Sequence, residues 1–170
     1  MRPFALRPHL PILLVAASLS LSGCGFVVVH GARQAYASYT RNEKAVELRL
    51  DSYRKLVLQM DYEAISDLFD ETAEFSHSTG PTIVGKAAIL AYFRSSMGYR
   101  VLVYEIRPES TVARGDKAKA TGTFHQQVIA PNGASISFNG TFESEWNRDE
   151  GGKWLLHRMH TDAAPISAGA

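Results

Sequence analysis

Apolar positions along this chain follow two rules in turn. Between Thr40 and Ser95 they recur at helical spacing, and beyond Gly98 they alternate. Val46, Leu50, Tyr53, Val57 and Met60 are spaced by four, three, four and three residues, one stripe of an amphipathic helix. Thr40-Arg41-Asn42-Glu43 reads as its capping box, with Thr40 as N-cap and Glu43 at the third helical position. Asp61 is placed to cap a second, short helix that buries Ile65, Leu68 and Phe69. Ala73, Phe75 and His77 alternate with Glu74 and Ser76, which predicts a short strand. Gly80-Pro81 marks a turn, and a third helix after Gly85 puts Ile89, Tyr92 and Phe93 on one side.

The remainder reads as strands. Tyr99 to Ile106 is rich in Val, Leu and Tyr. Lys117 to Ile129 and Ser135 to Asn147 flank Pro131-Asn132-Gly133, a hairpin turn of the Asn-Gly type. Asp149 to Gly152 turns the chain into a last strand, Lys153 to Thr161, and Ala163 to Ala170 is a small-residue tail expected to fray. Helices first and an antiparallel meander last predict an α+β fold with the helices on one face of a curved sheet. The sequence holds no internal repeat, no P-loop, no GxGxxG and no metal-ligand spacing, so no cofactor is expected.

The first 23 residues break both rules. Arg2 and Arg7 precede the apolar run Leu10 to Leu21, which is too short to span a bilayer about 30 Å thick. The run ends Leu21-Ser22-Gly23-Cys24, and Cys24 is the single cysteine of the chain. This segment resembles the lipobox of bacterial lipoproteins. The resemblance implies a signal peptide over 1–23, cleavage before Cys24, and acyl chains on the Cys24 sulfur and on the new amino group. Gly25 follows, not Asp; by the sorting rule of enteric lipoproteins this implies the outer membrane, facing the periplasm. Residues 24–39 are then a lipidated tether, 40–162 the folded domain and 163–170 the tail. The chain has 18 basic and 17 acidic residues; the leader holds two of the former and none of the latter, so the remainder is near neutral. That balance gives no footprint for nucleic acid.

The stretches DYEAISDLFDETAEF and STGPTIVGKAAILAYFRS resemble the SnoaL-like domains of the nuclear transport factor 2-like superfamily. The resemblance rests on Leu68-Phe69-Asp70, the strand Ala73 to His77, Gly85-Lys86-Ala87-Ala88-Ile89, and Trp154 opening the last strand, and it covers roughly residues 43 to 161. It implies a cone-shaped, curved antiparallel sheet wrapped on three N-terminal helices, with a pocket in the mouth. Ketosteroid isomerase, in the same superfamily, uses a helix tyrosine, a deeper acid and a carboxylate at the end of the first short strand. On this chain those positions fall on Tyr53, near Ser144 and on His77.

These residues have two readings each. His77 is either a general base with a pKa suited to neutral pH, or a strand-end histidine that caps a turn. Tyr53 is either a pocket donor or a core tyrosine with a satisfied hydroxyl. Phe142, Ser144 and Trp146 share a strand face, either as the aromatic wall of a ligand pocket or as plain core. His125 is assigned to the exposed face of its strand, while His157 and His160 are assigned to opposite faces of theirs. Three functions follow. The domain binds a small, largely apolar molecule or an envelope partner; or it is an isomerase, cyclase or dehydratase using His77 and Tyr53; or its open sheet face forms a homodimer.

Overall fold

In the computed structural model, the backbone is described for residues 22–165 and the side chains for residues 40–164. The leader as far as Leu21, and the tail from Ile166, lie outside the described residues. The chain divides into a unit ending at Ala35 and a second beginning at Tyr36. In the first, the described backbone from Ser22 is helical.

Helix α1 runs Ser22–Gln59, α2 Tyr62–Ser66 and α3 Lys86–Ser95. Strands are β1 Phe69–His77, β2 Ile83–Val84, β3 Arg100–Arg114, β4 Lys117–Ile129, β5 Ser135–Arg148 and β6 Trp154–Pro165. Thr40 therefore lies inside a helix and does not cap one, and residues 24–39 are helical. No glycine or proline between Ala32 and Tyr39 stops the helix from continuing there. Among the described residues no helix is long and apolar enough to cross a membrane.

One six-stranded sheet carries the order β2-β1-β6-β5-β4-β3. From β3 to β6 it is the antiparallel meander that alternation predicts. β1 pairs with β6 in parallel, a relation that no turn spacing encodes because all of β2 to β5 intervenes. β3 runs eight residues past the expected Ile106, through Pro108. Proline is tolerated because β3 is an edge strand and its register shifts between Pro108 and Ser110. β6 also outruns its expected end: Ala163, Ala164 and Pro165 pair with Gly140, Asn139 and Phe138, so this part of the tail is held in the sheet.

The helical stripe buries Val46, Leu50, Tyr53 and Val57 against the sheet residues Ala120, Phe142, Trp146, Leu156 and Met159. Asp61 caps α2 as expected, its Oδ1 accepting from the Ala64 amide at 3.0 Å. Alternation on β4 holds too: Ala118, Ala120 and Phe124 are buried, while Lys117, Lys119, Thr121 and His125 fall on the opposite, outer face. Gly122 is demanded by close approach, since a Cβ there would lie 2.0 Å from the Arg107 carbonyl oxygen.

Candidate functional site

The helix tyrosine and the strand histidine occupy two ends of a packed aromatic row. Tyr53 is buried at the α1 face and meets Phe69 and Tyr104 edge-on, with ring centroids 6.4 and 6.1 Å away. Burial, reinforced by the neighbouring Tyr104, pushes the Tyr53 phenol well above its usual range, so it remains a neutral donor. From Phe69 the row continues to Phe75 at 6.5 Å, to Tyr92 at 5.4 Å and to His77 at 6.0 Å. His77 is half-buried at the end of β1, with Nδ1 3.2 Å from the Thr79 hydroxyl. Phe69, Phe75 and Tyr92 thus link the two residues through successive ring contacts.

Gly80 shapes the His77 end. A Cβ at Gly80 would stand 2.2 Å from the imidazole Cε1. Gly80→Ala is therefore expected to swing the ring away from Tyr92 and Thr79. The cost in stability should stay below about 1 kcal/mol, because the ring is partly solvated and can rotate. Imidazole resonances in NMR spectra, alongside a thermal melt, check this.

The second group that the sequence singles out lies together. Phe142, Ser144 and Trp146 are all buried on the core face of β5. The Trp146 indole N–H donates to the Ser144 hydroxyl at 3.0 Å, and that hydroxyl donates to the Ala120 carbonyl at 3.2 Å. Both polar atoms are thus satisfied inside the core. Ser144→Ala would leave the indole N–H buried and unpaired, and is expected to destabilise the domain by about 1–3 kcal/mol. A urea titration measures it.

A different group faces outward. Asp70, near the start of β1, brings Oδ2 to 2.8 Å from His157 Nδ1. The same oxygen accepts from the Asn147 amide at 3.4 Å, while Oδ1 accepts from the Thr72 amide and hydroxyl at 3.0 and 3.1 Å. His157 and Asn147 line a cleft of about 580 Å³ on the outer face of the sheet, together with Val112, Arg114, Lys117 and Lys119. Sequence reasoning missed this grouping because it counted residues evenly along β6. Register shifts where Glu145 faces Arg158 but Trp146 faces Leu156, leaving His157 as an extra residue. Since Leu156 and Met159 both point to the core, His157 and His160 both fall on the outer face, not on opposite faces. His160 Nδ1 is 2.9 Å from the Ser76 hydroxyl, and His125 Nδ1 is 2.8 Å from Asn139 Oδ1. Among the described residues no three His, Cys, Asp or Glu side chains converge as a metal set.

Comparison with known proteins fits this architecture. Residues 50–157 match the model of the SnoaL-like domain family. The chain belongs to the SnoaL-like family. Its solved neighbours carry the same fold at low identity. A conserved protein from Planctomyces limnophilus aligns with TM-score 0.69 and 20% identity, over 75% of this chain and 99% of that one. A ketosteroid isomerase-like protein from Erwinia carotovora atroseptica gives 0.66 and 14%, over 71% and 95%. A nuclear transport factor 2-like superfamily protein from Salmonella enterica serovar Typhimurium gives 0.63 and 16%, over 77% and 96%. No curated protein matches the chain. At these identities the neighbours establish the SnoaL-like fold and leave the chemistry to the residues of this chain.

Proposed function

We propose that this SnoaL-like chain is a lipid-anchored binding domain of the bacterial envelope, tethered through Cys24 to the outer membrane and facing the periplasm. It holds a small, largely apolar molecule in the cleft on the outer face of its sheet. The cleft itself carries this reading. Its volume of about 580 Å³ falls within the span of roughly 300–1,000 Å³ that small-molecule sites occupy. Val112 supplies an exposed apolar side chain, and the stems of Arg114, Lys117 and Lys119 extend the apolar lining. A few polar groups at the margin, His157 and Asn147 among them, are of the kind that orient a ligand.

Binding is favoured over isomerase-type catalysis because the two candidate catalytic groups are otherwise engaged. Tyr53 is buried edge-on against Phe69 and Tyr104, and His77 Nδ1 meets the Thr79 hydroxyl. An enolising enzyme needs its base and its oxyanion donor on one substrate.

Native mass spectrometry of the full-length protein released from detergent tests the proposal. The expected spectrum contains the lipoprotein with a retained small molecule, and Val112→Asp lacks the adduct. A bare mass for the parent protein, or an adduct indifferent to Val112→Asp, overturns it.

A further inference from the structure

The cleft also carries an unbalanced charge. Arg114 and Lys117 close the β3–β4 hairpin and sit directly opposite each other in register. Like charges so placed repel across a strand pair. The acids nearby are committed elsewhere. Asp116, in the turn between the two, pairs with Arg148 at 3.1 Å. Glu143 pairs with Lys119 at 2.8 Å; Glu145, the one carboxylate that lines the cleft beside Arg114, Lys117 and Lys119, lies 3.6 Å from Arg158, which it shares with Glu74. Among the described residues neither Arg114 nor Lys117 has an acidic partner, and both line the cleft.

His157 adds a second polar element on the same cleft. Asp70 receives its Nδ1–H and is itself fixed by Thr72 and Asn147, so the ring orientation is set from behind. Nε2 is left without a protein partner among the described residues. A positioned ring nitrogen and two unpaired cations border one cavity, with Val112 as its exposed apolar side chain.

We infer that the ligand of this cleft is an amphipathic anion. A carboxylate or phosphate group is held between Arg114 and Lys117, its apolar body lies along Val112, and the outward nitrogen of His157 supplies a further polar contact. The inference rests on the reading of this cleft as the binding site. An anion between the two cations relieves their mutual repulsion and gains charge-assisted hydrogen bonds, which are about twice as strong as neutral ones.

The test titrates the full-length protein in lipid nanodiscs with phenylbutyrate, phenylbutyl phosphate and phenylbutanol, with empty nanodiscs as the blank. The two anions are expected to bind about tenfold more tightly than the alcohol. Arg114→Gln with Lys117→Gln is expected to abolish that preference, so that anions and alcohol bind the variant alike. Both positions are exposed, and a matching thermal melt confirms that the variant is folded. Whichever anion binds more tightly identifies the head group, and either order supports the inference. Equal binding of alcohol and anions, or a preference that survives the double substitution, overturns the anion assignment and leaves the apolar reading standing. If none of the three probes binds, the cleft reading falls, and this inference with it.

Discussion

Trp146→Ala is expected to destabilise the domain by about 3–5 kcal/mol, enough to unfold a fold of ordinary stability at moderate temperature. Trp146 is 1% exposed, among the largest fully buried side chains of the described domain. On β4 it faces Ala118, and the neighbouring pair is Ser144 opposite Ala120, so small residues leave the volume that the indole fills. Truncation removes that apolar surface and opens a cavity that β5, held between β4 and β6, cannot easily close. It also leaves the Ser144 hydroxyl without its donor.

The size of the loss separates packing from polar contact. Trp146→Phe keeps most of the apolar surface and deletes the N–H, and is expected to cost about 1–2 kcal/mol. Denaturant titrations of the parent and both variants, read at equal slope, give the comparison. An alanine variant within about 1 kcal/mol of the parent would mean that Trp146 is not the keystone of this core.

The same residue shows what the sequence could and could not disclose. Alternation on β5 places Phe142, Ser144 and Trp146 on one face, and they are there. Alternation could not say whether that face lines a pocket or fills a core, because both are apolar. Of the hydrogen bonds that satisfy Ser144, the one from Trp146 runs along β5, while the one to Ala120 crosses to β4 and leaves no trace in spacing. Tyr53 is legible as an inward-facing helix residue, but its ring neighbour Tyr104 lies 51 residues on, in a strand whose pairing is not written locally. Asp70 and His157 illustrate the limit most directly. They meet because β1 lies beside β6 and because a bulge turns one residue of β6 outward. Period counting assumes an even strand, and a bulge is where that assumption fails. Helix starts were equally uneven: Asp61 caps α2 through its own side chain, whereas Thr40 has good capping chemistry inside a helix that had already begun.

Cys24→Ala is expected to move the protein from the membrane fraction to the soluble fraction. The argument is one of anchoring energy. Each buried methylene contributes about 0.8 kcal/mol, so one acyl chain holds a protein only marginally and two or more hold it stably. No described helix offers an alternative anchor by crossing the bilayer, and the chain from Cys24 onward, with all but two of the 18 basic residues and all 17 acidic ones, offers little attraction to an anionic surface. Loss of the sulfur therefore removes the attachment outright instead of weakening it by degrees. Fractionation by ultracentrifugation measures the outcome, and the intact mass of the parent protein should exceed the polypeptide from Cys24 onward by that of its acyl groups. High-salt and carbonate washes discriminate further: the parent resists both, as a lipid-held protein does. A Cys24→Ala protein that still sediments with membranes after those washes would sink the lipid anchor, and with it the placement of the SnoaL-like domain at the envelope.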